Sequence, residues 1–144
     1  MKTLVSMMLL AMTSLPLASA ERTNIPLELS AFIGGFFGAS YTVELKDGIL
    51  HYSVRENGKE TTTTITPTAE QWTSFRRALD ELNIWNWQKH YKDRHVLDGT
   101  IWSVNIVYQG RKLASDGSNE YPRRKEFEQY LAAVRKLLGG KPFR

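Results

Sequence analysis

The residues best equipped for chemistry lie close together, between two tryptophans. From Trp85 to Trp102 the chain carries Trp87, His90, Tyr91, Asp93, Arg94, His95 and Asp98, with Asn86 and Gln88 among them. Three tryptophans can form a platform on which a sugar ring stacks, with Asn86, Gln88 and Arg94 as polar neighbours. In a small fold the same rings more often fill the core. His90 and His95, flanked by Asp93 and Asp98, offer two imidazoles and a carboxylate to zinc or copper. The pattern is not H-E-x-x-H, however, and lacks the i, i+4 spacing that puts two histidines on one helix face. Asp93 and Asp98 could also be the paired carboxylates of a glycosidase. Asp98-Gly99 is more simply a turn before a strand. Ser115 and Ser118 stand outside any G-x-S-x-G context, so no serine nucleophile is indicated. Binding is therefore expected rather than catalysis, and no cofactor or metal is implied.

Two further places break local rules. Arg123, Arg124 and Lys125 fall where a last helix starts, although the helix dipole disfavours cations there. Such violations collect at functional positions, and a helix N-terminus with adjacent arginines attracts anions. A helix that begins only near Lys125 is the plain alternative. The run Gly34-Gly35-Phe36-Phe37-Gly38 is glycine-rich but lacks the Gly-Lys-Ser/Thr of a phosphate loop. Its two phenylalanines are expected in the core or as a lid, with an exposed contact patch as the alternative.

The chain has 144 residues, 42% of them hydrophobic and none of them cysteine. One domain of this length buries about two thirds of its unfolded surface, so no metal or disulfide staple is required. Without cysteine there is no disulfide framework, thiol nucleophile, iron–sulfur cluster or lipidated cysteine. Residues 1–20 read as a secretory signal peptide: Lys2, an apolar stretch over residues 4–15, and the small-x-small site Ala18-Ser19-Ala20. That apolar stretch is too short to span about 30 Å of hydrocarbon. Cleavage after Ala20 would leave a single domain over residues 21–144, periplasmic or secreted in a bacterium. Residues 21–98 carry nine basic and eleven acidic groups, and residues 99–144 carry nine and four. A basic second half can steer an anionic partner, although a solvated Lys- and Arg-rich helix face is the plainer explanation. An exported protein rarely meets nucleic acid, so none is expected.

The elements that must position these groups are local. Residues 24–40 begin strand-like, with Ile25, Leu27 and Leu29 alternating, until the glycines interrupt. Asp47-Gly48 predicts a two-residue hairpin, pairing Lys46 with Ile49, Leu45 with Leu50, Val43 with Tyr52 and Tyr41 with Val54. One face then collects six apolar residues and the other Thr42, Glu44, His51 and Ser53, which fixes the register. Asn57-Gly58 predicts a second hairpin into a threonine-rich edge strand, with Ile65 opposite Leu50. Thr68 and Gln71 form a capping box ahead of a helix carrying Trp72, Phe75, Leu79 and Leu82 on one stripe, which Asn83 ends. Residues 84–100 form a connection. A third hairpin turns at Gln109-Gly110, with Trp102, Val104, Ile106 and Leu113 inward. A last helix runs from near Pro122 to Leu138, stopped by Gly139-Gly140. The expected fold class is α+β: an antiparallel β-sheet of four to six strands in the order β-meander–α–β-hairpin–α, with two helices packed on one face.

Several of these motifs together resemble a group of uncharacterised exported bacterial proteins. They are Gly34-Gly35-Phe36 ahead of Asp47-Gly48, Pro67 before Trp72 and Phe75, and the Trp85, Trp87, Tyr91 run. Asp98-Gly99-Thr100 with Trp102, and Gly117 with Asn119, Tyr121 and Pro122, complete the set. The resemblance implies export and a single domain, and carries no mechanism. The sequence thus predicts an exported, soluble, non-enzymatic binding domain of inhibitor, immunity or envelope-partner type. Its expected binding residues are Trp85, Trp87, Arg94, Asp98, Asn119 and Tyr121, and its expected partner is an envelope protein or a glycan, with no membrane span. The alternative is a metal- or carboxylate-dependent hydrolase, or a non-catalytic binder, acting on envelope glycans.

Overall fold

Positive φ angles at Asp47 (52°) and Gly48 (77°) build the tight reversal that the Asp-Gly pair predicts, and the strands on either side pair in the expected register. In the computed structural model, which describes residues 24–96 and 99–144, β1 spans Glu28–Gly35, β2 Ser40–Lys46, β3 Ile49–Glu56 and β4 Lys59–Ile65. Lys46 faces Ile49, Val43 faces Tyr52 and Tyr41 faces Val54. Leu50 lies opposite Ile65 in the second hairpin. Helix α1 (Ala69–Glu81) follows, then a 3₁₀ turn (Ile84–Asn86), β5 (His90–Lys92), β6 (Thr100–Tyr108), β7 (Arg111–Ser118) and helix α2 (Arg124–Leu137). The strands form one sheet in the order β4-β3-β2-β1-β6-β7-β5. The signal-peptide residues 1–20 lie outside the described residues.

The α+β class holds, and the sheet has seven strands, one more than the upper expectation. The seventh strand is β5, and β1 also differs from expectation in its bounds. β1 begins later than the alternation of Ile25, Leu27 and Leu29 suggests and continues through both glycines, ending with Gly35 opposite Thr100. It is the central strand, bonded to β2 on one side and β6 on the other, so ladder hydrogen bonds on both edges offset the weak strand propensity of Gly34-Gly35. Leu27 precedes it and stays 71% exposed. β5 occupies part of the stretch expected as connection. It pairs parallel to β7, His90 with Asp116 and Lys92 with Ser118, and three residues are too few to show a period of two.

Alternation of side chains across the pleat sends Leu29, Ala31, Ile33, Val43, Leu50, Trp102, Val104 and Ile106 to one face, where all are buried. Both helices cover that face. Trp72, Phe75 and Leu79 of α1 and Phe127, Tyr130, Leu131, Val134 and Leu137 of α2 join the strands in a single core. The α1 capping box is formed as expected: the Gln71 backbone N–H donates to Thr68 Oγ1 (3.1 Å), and the Thr68 N–H donates to Gln71 Oε1 (2.8 Å). α2 starts at Arg124, as the plain alternative of a start near Lys125 has it and not near Pro122, with Arg123 at its N-cap and no side-chain hydrogen bond there. Among the described residues no helix is long and apolar enough to cross a membrane.

Candidate functional site

The β1–β2 turn, the start of β6, the end of β7 and the start of α2 meet at one pole of the sheet. A latch of tightly packed residues forms it. Gly117 on β7 lies so close to the Trp102 indole on β6 that a Cβ there would overlap the ring nitrogen. Trp102 Nε1 in turn donates to the Glu120 carbonyl (2.9 Å). Asn119 takes a left-handed backbone, φ 55°, its backbone N–H donating to Thr100 O (2.9 Å) and its Nδ2 to Val96 O (3.5 Å). Gly99 has no side chain because the Asn119 amide fills that space. The Tyr121 ring then lies 4.8 Å from that of Phe127, and the buried Pro122 leads into α2. The spacing Gly99, Trp102, Gly117, Asn119, Tyr121 is thus the chemistry of a corner that swings the chain from the sheet onto its helix.

This corner walls a cleft of about 460 Å³. Its floor is apolar: Ile33, Phe127 and Leu131, all buried. Asn119, Tyr121, Pro122 and four charged residues line the rest, namely Arg124, Arg144, Glu120 and Glu128. None of the four charges takes part in an ion pair among the described residues. A second recess of about 200 Å³ shares Thr100 and Arg144 with the cleft and is bounded by Gly34, Gly35, Phe36 and Phe37. The two phenylalanines are neither core nor lid. They stand 74% and 82% exposed, packed edge to face on each other with centroids 4.9 Å apart. The hairpin tip points them outward because β1 runs its full length in the ladder and the reversal falls beyond Gly35.

Of the residues expected to bind, Asn119 and Tyr121 line the cleft. The tryptophans do not form an open platform. Trp102 is 1% exposed, and Trp87 packs on Trp102, Phe127 and Tyr130 at 6.1, 6.2 and 5.5 Å. Trp85 belongs to another group: its ring meets Tyr108 edge-on (5.9 Å), its Nε1 donates to Asp80 (2.9 Å), and Arg76 and Arg111 lie over it. Arg94 is exposed on the segment between β5 and β6, and Asp98 lies outside the described residues. The histidines and acids also part company. His90 Nδ1 sits 3.0 Å from the Asp116 carboxylate, while Asp93 accepts the His95 backbone N–H (2.8 Å) and caps a turn. Among the described residues no three His, Asp or Glu side chains gather as metal ligands.

Sequence reasoning missed Ile33, Leu131, Arg144 and Glu128 as lining residues. The broken capping rule at residues 122–125 points to this corner, and the adjoining Gly-Gly-Phe-Phe run was the second available signal. No protein-family model matches the chain, and no curated protein matches it in sequence.

Proposed function

We propose that this chain is an exported, non-enzymatic binding domain that engages a protein of the bacterial cell envelope through the pole bearing the cleft. One observation carries the reading: an apolar floor, a rim of unpaired charges and an exposed aromatic pair stand side by side on a rigid corner. Recognition surfaces have this makeup, an apolar centre for an anchoring side chain and polar groups around it. The backbone N–H and Nδ2 of Asn119 and the indole N–H of Trp102 donate to carbonyls that hold the corner, which suits presenting a shape more than moving a proton. The three tryptophans expected to stack a sugar are packed, and the exposed rings, Phe36 and Phe37, sit edge to face on each other beside an apolar-floored cleft, a shape that suits a protein's anchoring side chain. Export rests on the signal-peptide pattern of residues 1–20 and on the resemblance to exported bacterial proteins.

A photo-crosslinking residue at Glu128, on the cleft rim, and another at Leu27, at the opposite pole, test this in living cells. The expected result is a discrete adduct with one envelope protein from position 128 and none from position 27. Equal yields from both poles, or a fluorescence change on titrating peptidoglycan fragments with no protein adduct, would overturn it.

A further inference from the structure

We infer that β4, the free edge of the sheet, is a self-association site at which two copies pair their β4 strands antiparallel about a two-fold axis at Thr62. This goes beyond the partner reading, uses none of the residues that line the cleft and does not rest on that reading. The hairpin sets the geometry. Asn57 and Gly58 both have positive φ, 51° and 74°, a two-residue turn that closes on a pair exchanging both backbone hydrogen bonds, Glu56 with Lys59. Antiparallel pairs alternate from there. Lys59, Thr61, Thr63 and Ile65 therefore aim their N–H and C=O groups at β3, and Glu60, Thr62 and Thr64 aim theirs outward. β4 ends the strand order, and among the described residues no other backbone group bonds these outward positions.

Sheets protect such an edge by shortness, proline, a bulge or a charge placed midway. The opposite edge, β5, is short, at three residues. β4 has seven, all exposed except Ile65, in an unbroken register from Ile65 opposite Leu50 to Lys59 opposite Glu56. Its middle is a run of neutral, β-branched threonines, and its charges stand at Lys59 and Glu60 only.

Self-complementarity decides the occupant. Outward residues pair only with outward residues, since these alone have backbone groups to offer. An axis at Thr62 sets Thr62 against Thr62, Glu60 against Thr64 and Thr64 against Glu60 of the second copy, with two backbone bonds to each pair. Moving the axis to Thr61 or Thr63 leaves an end of β4 unmatched. In the centred register no like charges face each other, and threonine meets threonine across the seam, a favourable cross-strand pair. The Lys59 stem lies beside Ile65 of the second copy. The helices leave room for this. Thr61 and Thr63 lie opposite Val54 and the buried Tyr52, on the helix side of the sheet, yet both are exposed. The helical layer thus stops short of β4, and two sheets can join edge to edge as a closed isologous pair.

Sedimentation equilibrium of the purified protein across about 1–1,000 µM, the range of small and transient interfaces, is the measurement. The wild type is expected to be a reversible dimer with a midpoint in that range. T62P removes an outward N–H that β3 does not use, so circular dichroism should show the fold retained. Its association should weaken by about 30-fold through the two bonds at the axis. T62K and T62E each set like charges face to face across the axis, and each should associate about 5-fold more weakly than the wild type at low salt. Both give up the Thr62 hydrogen bond to Ser53, so their thermal melts should match. An equal mixture of T62K and T62E should associate more tightly than either alone, because an axis at this position sets the new lysine against the new glutamate. A wild type that stays monomeric throughout, leaving the edge to a foreign strand, overturns the inference. So does a folded T62P that associates as tightly as the wild type, or a mixture no tighter than its components. Should the proline unfold the chain, the T62K and T62E mixture decides alone.

Discussion

A buried phenol without a hydrogen-bond partner is a local cost that its neighbours must offset. Tyr130 on α2 is such a group: its hydroxyl is buried and has no partner among the described residues, and its ring packs between Trp87 and Phe127. Deleting the hydroxyl while keeping the ring removes the desolvation cost and little else, so Tyr130→Phe should be neutral to about 1 kcal/mol stabilising in urea titration. Burial also pushes the Tyr130 phenol far above its ordinary value. Below pH ~10 both states hold the proton. Above it the unfolded chain releases the proton while the native chain keeps it, so the unfolded state binds fewer protons and stability falls as pH rises. Tyr130→Phe should therefore lose less stability between pH 9 and pH 11 than the wild type. Parallel losses would show that this phenol titrates alike in both states. Tyr108 is raised for the same reason, opposed by the Arg76 guanidinium 4.0 Å above its ring, and it sustains part of the alkaline loss in the variant. The apolar stripe that buries Tyr130 is readable from spacing alone. That its hydroxyl finds no partner depends on which rings surround it, and spacing does not say.

The two helices begin in opposite ways. α1 starts with a complete capping box, whereas α2 starts at an arginine with no capping hydrogen bond and two more cations, Arg124 and Lys125, in its first turn. Arg123 approaches Glu126 only to 4.0 Å with most of its side chain in water, a contact worth little. Thr68→Ala should accordingly cost about 1 kcal/mol and Arg123→Asp should gain about 1 kcal/mol by capping α2 and complementing its dipole. Thermal melts of both variants check this. A destabilised Arg123→Asp would show that the arginine holds the corner by some contact other than the weak one to Glu126. The hairpins were legible because turn chemistry and period-two alternation fix the same register independently, as Lys46 opposite Ile49 and Leu50 opposite Ile65 show. β1 was half legible, since Gly34-Gly35 reads as a break until pairing on both edges is known. β5 was not legible, because its three residues owe their extended form to β7.

At the scale of the whole molecule, the last four residues close the fold. After Gly139 and Gly140 turn the chain with positive φ, it runs back over the inner face of the sheet. The Tyr52 hydroxyl donates to Pro142 O (2.6 Å), Arg135 donates to Phe143 O (2.9 Å), and Phe143 itself is 0% exposed beside Tyr41. This strap places Arg144 at the junction of the cleft and its neighbouring recess. The candidate site was therefore only partly legible: Asn119 and Tyr121 stood out in the motif with Gly117 and Pro122, just ahead of the cations that break the helix-start rule, whereas Arg144 follows four residues with no period and Ile33 depends on strand order. Phe143→Ala should cost about 3–5 kcal/mol in urea denaturation, a large share of the net stability of a domain this size. Phe143→Leu keeps most of the buried volume and should cost much less. The two together separate packing from chain-end fraying. If the strap is core, the alanine variant unfolds at far lower urea and the leucine variant stays near the wild type. Were both to melt with the wild type, the strap would add nothing to the core, and Arg144 would lose the anchor that holds it at the cleft.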